Sequence, residues 1–352
     1  MAIRSISEIH AATKAALIAH GAGAWQAEEV ARATAHSEAH ANVICGLQYL
    51  ESYCLQLTSG RVDGRAEPEI RQPRGAALIA DARCGFAQPA FAAALSRAVT
   101  LAREMGVVML AVAQSHTCTS LGYFTEQIGR AGLIGIGFTN ASPVVAAPGG
   151  RRRVIGTNPI AMSVPDGAGG LALHFDFSTS AVALGKIAMA KYEGRPIPEG
   201  WALDAEGRPT TDPEAALKGS ICSAGGYRGW GLGLMAELMA AAMTGSVNSL
   251  DVAGLKLPPR PPPPRGQKDL LVGTPRLPHH FGPPVFRHRL GQMYLLMDTT
   301  SFTDQFGTRF ARLAEAVAED EGARLPGAHR QPAAAVEVAD ALWAKVLDLA
   351  RG

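Results

Sequence analysis

The chain predicts an α/β fold flanked by a helical unit that its two ends build together. Three observations predict this. Short β-rich runs alternate with helical patterns through the middle, and both ends carry apolar residues at helical spacing. The composition, 47% hydrophobic but 6% aromatic with 39 glycines, suits an Ala/Gly-rich α/β enzyme better than a fibrous or disordered chain. At 352 residues the chain can bury a large core and should form about two domains.

Taken in order, Ser5-x-x-Glu8 forms a capping box, and Ile9, Ala12, Ala16 and Leu17 mark a helix face until Gly21 stops it. A second helix is predicted over 27–40. Strands are predicted over 76–81, 107–113, 133–139, 171–177 and 293–298, with helices over 90–104 and 121–131 separating the first three. The segment 232–243 is apolar nearly all round and is predicted to be buried, its methionines serving as core. Residues 257–289 are too rich in proline for helix or central strand and read as a surface loop or insertion; His279-His280 there has no carboxylate or thiolate beside it, so no metal site is read. Phe302, Phe306, Phe310 and Leu313 mark one C-terminal helix face, and Val338, Leu342, Val346 and Leu349 another. The simplest packing joins 1–72 with 311–352 as a discontinuous helical domain around a central domain of 73–310.

The formal charge of +2, from 33 basic and 31 acidic side chains, offers no field for a nucleic-acid backbone. Five scattered cysteines without CxxC spacing argue against a disulfide framework or zinc knuckle. The N-terminus lacks a signal-peptide core, and no apolar span reaches about 18 residues, so a soluble cytoplasmic protein with no membrane partner is expected. No G-x-G-x-x-G follows a strand; Gly229-Trp230-Gly231-Leu232-Gly233 lacks the spacing, which disfavours an ordinary Rossmann domain.

Two side chains stand where chemistry is done in α/β proteins. His116 follows the strand predicted over 107–113, and an imidazole titrates near neutrality. Asp176 ends the apolar run Leu171, Leu173, Phe175 and opens a stretch containing Ser178, Thr179, Ser180, Lys186 and a Thr210-Thr211-Asp212-Pro213 turn. The plainer alternatives are a loop histidine satisfied by backbone, and an aspartate capping a helix that begins within 178–183.

The stretch from Asp176 to Gly219 resembles the type-2 malate/L-lactate/sulfolactate dehydrogenase family. So do Ser115-His116, Gly156-Thr157-Asn158-Pro159-Ile160-Ala161, Gly225-Gly226-Tyr227-Arg228-Gly229, Gly291-Gln292 and Arg324-Leu325-Pro326-Gly327. The resemblance implies a non-Rossmann, mixed-sheet NAD(P)-binding domain, a discontinuous helical domain and a homodimer with its active site near the subunit interface. It implies NAD or NADP as cofactor and a small-molecule substrate, either a 2-oxo acid or a cyclic imino acid. A nucleotide-binding protein that has lost catalysis is the reading from another class. By position in the family's motifs, His116 and Asp176 are the catalytic candidates. Ser120, Asn140, Ala141, Thr157, Asn158, Phe177, Ser178, Arg228, Arg324 and Arg330 are the cofactor-binding candidates. Lys186, Cys45 and Tyr49 are the substrate candidates. Most relatives carry Ser-His-Gly followed by arginine, where this chain has Ile44-Cys45-Gly46 and Tyr49. That departure implies a pocket that is more apolar and less carboxylate-seeking.

Overall fold

The computed structural model describes residues 1–252, 289–327 and 331–352. The proline-rich 257–288 and Arg330 lie outside the described residues, so the expectations placed on them are not addressed by it.

The two chain ends share one core. Strand β1 (Ala2–Ser5) leads into α1 (Ile6–Ala19), whose capping box is closed by Ser5 and Glu8 in both directions. Helices α2 (Ala24–Ala39) and α3 (Leu50–Thr58) follow. Ile9, Leu17, Leu50 and Tyr53 are buried with Val338, Trp343 and Val346 from the far end of the chain. Cutting Leu50 to Ala should cost about 2–5 kcal/mol, the range for emptying a packed leucine site.

The central sheet is mixed and mostly antiparallel. Its strands are β2 (Glu69–Arg74), β3 (Ala77–Asp81), β4 (Val107–Ser115), β5 (Ile134–Thr139), β8 (Ile160–Pro165), β9 (Leu171–Phe177) and β13 (Leu290–Met297). Their order is β2-β3-β4-β13-β5-β8-β9. Only β3 and β4 pair in parallel, joined by α4 (Ala87–Met105) as the crossover. The late strand β13 inserts antiparallel between β4 and β5. The predicted alternation of strands and helices is therefore present, but a single βαβ unit accounts for it.

Strand alternation sorts the two faces. Val108, Leu110 and Val112 of β4 bury against α4 and α5 (Gly122–Arg130), while Ala111 faces the core around Ala236. Between β5 and β8 run the short β6 (Val145–Ala146) and β7 (Arg153–Ile155). After β9 come α6 (Leu184–Tyr192), β10 (Ala202–Leu203), β11 (Pro209–Thr210), α7 (Pro213–Lys218) and β12 (Ser220–Ile221). The short strands form a second sheet, β11-β10-β12-β6-β7, packed on α6 and α7 around Ile187, Ala202 and Ile221. Asp212 caps α7, with Pro213 in its first turn, which explains that piece of sequence punctuation.

The segment expected to be fully buried is not. Helix α8 (Tyr227–Glu237) continues as a π-helical stretch, Leu238–Ala242; Ala236, Ala240 and Ala241 face the sheet. Leu232, Leu238 and Met243 are 43%, 53% and 58% exposed, so the all-round apolar pattern conceals an outward apolar face. Gly291 is required beside this stretch, because an added Cβ would collide with the Ala240 carbonyl oxygen. The C-terminal region forms α9 (Phe306–Ala318), β14 (Ala335–Val338), paired antiparallel with β1, and α10 (Asp340–Arg351), packed on α1. The expected boundary at 310/311 falls inside α9, which has no buried residue.

Candidate active site

Asp176 closes β9 on the sheet face that period-2 alternation also gives to Ala172 and His174. Its carboxylate Oδ2 accepts the backbone N–H of Gly122 at 2.8 Å and the Ser120 hydroxyl at 3.4 Å. The aspartate is thus a cap, but of α5 from across the sheet rather than of a helix following β9; the next helix begins only at Leu184. An anion at a helix N-terminus satisfies orphan N–H groups and the helix dipole together. Gly122 permits the approach: an added Cβ would meet His174 Nε2 at 2.9 Å and Asp176 Cβ at 3.0 Å.

A cavity of about 410 Å³ opens over this junction. His174, Asp176 and Ser120 line it from the sheet side, His36, His40 and Asn42 from the helical unit, and Lys186 from α6. Its size suits a small metabolite rather than a macromolecule. A more apolar pocket was expected; the lining is instead polar, with three imidazoles and the Lys186 side chain.

A directed hydrogen-bond chain orients His174. The Thr125 hydroxyl donates to the Gly122 carbonyl at 3.2 Å, and the Ser163 hydroxyl donates to Thr125 at 3.0 Å. The Ser163 oxygen therefore accepts from His174 Nδ1, 2.8 Å away, which places the hydrogen on Nδ1 and turns Nε2 toward Gly122 and Asp176.

His116 follows β4 and precedes α5, as the sequence predicts. It is fully buried, its backbone N–H donates to the Gly85 carbonyl, and its ring lies 5.6 Å from Tyr53, 6.0 Å from Phe86 and 6.4 Å from Tyr49. It does not line the cavity.

Cys45 and Tyr49 do not line the cavity; Tyr49 packs against Tyr53 and His116. Burial pushes the Cys45 thiol up to about 12, and the Asp176 charge adds to the effect. Burial likewise raises the Tyr49 phenol well above its ordinary range, with Cys45 among the contributing neighbours. Glu38, buried in α2, holds this turn by accepting the Leu47 N–H at 2.6 Å, and Gly46 leaves the room it needs.

The cofactor candidates divide into two groups. Asn140 and Asn158 are buried and committed internally. Asn140 binds the Val247 carbonyl and the Gly291 N–H, while Asn158 binds the Ala141 N–H, the Gly233 carbonyl and Glu237. These two asparagines hold loops in place, because buried amides need partners. Thr157, whose carbonyl receives the Thr179 N–H at 2.9 Å, and Ala141 are partly exposed. Ser178 bonds within the hydroxyl cluster, and Phe177 is 46% exposed beside Asp176 with its ring stacked on Phe175. Arg228 is exposed over the Tyr227 ring, and Arg324 lines a neighbouring groove of about 750 Å³; neither forms an ion pair among the described residues. His174 donates its backbone N–H to Pro326 at 3.1 Å, so the Arg324–Gly327 segment does reach β9. Exposed arginines suit the phosphate oxygens of a nicotinamide dinucleotide.

The sequence of the malate/L-lactate dehydrogenase family matches residues 4–346. The chain belongs to that family. It is 38% identical over 326 residues to (2R)-3-sulfolactate dehydrogenase (NADP(+)) of Chromohalobacter salexigens, covering 93% of this chain and 90% of that protein. It is 35% identical over 307 residues to a Delta(1)-pyrroline-2-carboxylate/Delta(1)-piperideine-2-carboxylate reductase of Pseudomonas putida, covering 84% and 86%. The crystal structure of delta1-piperideine-2-carboxylate reductase from Pseudomonas syringae superposes with a TM-score of 0.86 at 30% identity, over 99% of this chain and 100% of that one. This member of the family is an NAD(P)-dependent oxidoreductase, either a hydroxy-acid dehydrogenase or an imino-acid reductase. The non-Rossmann mixed sheet expected from the resemblance is the fold observed. No helix among the described residues is long and apolar enough to cross a membrane.

Among the lining imidazoles, His174 is absent from the residues expected at the site, while His36 and His40 lie close to the missing Ser-His pair in sequence. Two signals mark them: His174 lies two residues before Asp176 on an alternating strand, and His36 and His40 are one helical turn apart.

Proposed function

We propose that the chain interconverts small 2-oxo acids and 2-hydroxy acids at the Asp176 cavity. The observation that carries this reading is the oriented His174 beside Asp176, in a cavity that also presents Lys186. In the reducing direction Lys186 pairs with the substrate carboxylate and holds C2 toward β9. His174, protonated on both nitrogens, gives its Nε2 proton to the carbonyl oxygen as that oxygen gains charge. The Nδ1–H stays on Ser163, so the ring does not rotate during the transfer. Asp176 stabilises the imidazolium before transfer and keeps the α5 N-terminus in register. The nicotinamide supplies the hydride when bound. Ser120, Thr157, Ala141, Phe177, Ser178, Arg228 and Arg324 are the residues proposed to hold it, with Asn140 and Asn158 positioning their loops. His116 is proposed as a packing residue under Tyr49 and Tyr53.

Cyclic imino-acid reduction is the second reading, and Cys45 favours it. Neither that thiol, at about 12, nor the raised Tyr49 phenol supplies a charge at neutral pH, and an imine that arrives protonated needs no acid from the enzyme. Initial rates with NADH and NADPH on paired 2-oxo acids and cyclic imines of equal chain length separate the two. A homodimer is proposed on the family resemblance, and sedimentation of the purified chain tests it.

A further inference from the structure

Helix α2 carries His36 in its last turn and is capped by His40 four residues on, with their ring centroids 4.1 Å apart. Glu126 of α5 reaches the same place, its Oε2 lying 2.7 Å from His36 Nε2. One ligand-capable atom from each of the three residues lies within 4.8 Å of the others. We propose that His36, His40 and Glu126 form a binding site for a divalent transition-metal ion, with zinc as the ion this donor set favours.

Three features support a site rather than a chance cluster. Two histidines one turn apart on a helix put both imidazoles on one face, the spacing that helical zinc sites use. The second nitrogen of His40, Nδ1, is 2.8 Å from the His36 carbonyl; a carbonyl only accepts, so Nδ1 carries the hydrogen and Nε2 is the ligating atom. That arrangement, an imidazole N–H on a backbone carbonyl, commonly fixes the orientation of a metal-bound histidine. Glu126 is buried and its other oxygen is held by Arg130 at 2.8 Å, so one oxygen stays directed at His36.

The geometry requires little movement. Ligand atoms about 2.0–2.1 Å from a tetrahedral ion stand roughly 3.3 Å apart, so the His36–Glu126 pair must open by about half an ångström and His40 must close toward it. Two protein imidazoles and one carboxylate suit zinc, and harder ions such as magnesium and calcium prefer all-oxygen sets. His36 and His40 also line the Asp176 cavity, so a coordination position left open by the three ligands faces the space where substrate is proposed to bind. This inference does not depend on which substrate the enzyme reduces.

The test is zinc binding by the full chain. Protein stripped with chelator and dialysed is titrated with zinc chloride in a calorimeter, and its cobalt complex is examined by visible absorption. The expected result is one tight equivalent of zinc and tetrahedral cobalt bands. In folded His40→Ala protein, affinity should fall by roughly tenfold or more, and in the His36→Ala/His40→Ala double variant the equivalent should vanish; circular dichroism checks that both variants fold. If the wild type binds no stoichiometric zinc, or the folded double variant still binds one equivalent with unchanged affinity, the site is wrong. Should the double variant fail to fold, Glu126→Gln with the same cobalt readout decides: retained tetrahedral bands of equal intensity overturn the assignment, and their loss supports it.

Discussion

The Asp176 carboxylate accepts the Gly122 backbone N–H at 2.8 Å, so one charge joins the end of β9 to the start of α5. Asn at this position keeps an acceptor oxygen and loses the charge, whereas Ala loses both. Asp176→Asn should therefore cost less stability than Asp176→Ala, the latter by about 1 kcal/mol as for a lost helix cap. Both should lose turnover, because neither stabilises the His174 imidazolium. Urea melts paired with initial rates check this. Equal stability losses would mean the cap contributes nothing.

Gly122→Ala tests the closeness of the same junction. The new Cβ would stand 2.9 Å from His174 Nε2 and 3.0 Å from Asp176 Cβ, and one of the two must move. Turnover should fall more than nucleotide affinity, since the displaced groups are the proposed acid and its partner. A variant with wild-type kcat would show that the two groups need not be held so closely.

Cys45 stays a neutral thiol through the whole working pH range, because burial and the Asp176 charge push it up to about 12. Its alkylation by iodoacetamide at pH 8 should be much slower than that of a free cysteine, and Cys45→Ser should leave the pH–rate profile unchanged. The double change Ile44→Ser with Cys45→His restores the pair most relatives carry. It should raise turnover of dianionic substrates more than that of monoanionic ones, as measured by kcat/KM on malate and lactate.

Glu38 supplies a pH dependence of stability. Burial raises its carboxyl above the ordinary range, and the Leu47 N–H only partly offsets this. The folded state therefore holds the proton more tightly than the unfolded state, and stability from this group is fullest below the unfolded value and falls as pH rises through the folded one. Glu38→Gln keeps an acceptor for Leu47 and removes the charge. Its Tm should exceed that of the parent at pH 8 by a few degrees, about the shift expected for 1 kcal/mol or less, and the gap should close near pH 4. A gap that widens on acidification would reverse the sign.

Much of the fold was legible because it is written in local signals. The Ser5–Glu8 box, the β4 alternation and the Asp212-Pro213 start of α7 each involve residues a few positions apart. The insertion of β13 between β4 and β5 pairs Tyr294 with Leu110 and Gly137, far apart in sequence, and no local pattern announces it. The apolar run of α8 misled for a related reason: periodicity reports which residues are apolar, not what covers them. At the site, Asp176, Ser120 and Lys186 come together as the family motifs imply. His116 does not line that cavity, and the rings of Tyr49, Tyr53 and Phe86 around it were not legible, since a motif gives a residue's place along the chain and not its packing. His174 was legible in principle from the two-residue period of its strand, and Glu126 was not, since only packing of α2 on α5 brings it to His36.

The most direct measurement compares His174→Ala with His116→Ala in steady-state reduction of a 2-oxo acid. His174→Ala should keep nucleotide affinity and lose roughly 100-fold or more of kcat, the usual scale for a missing general acid. His116→Ala should mainly lower Tm, because the ring is enclosed by Tyr49, Tyr53 and Phe86. Near-normal kcat in a folded His174→Ala enzyme, with a 100-fold loss in a folded His116→Ala enzyme of unchanged Tm, would contradict this and return the proton to His116.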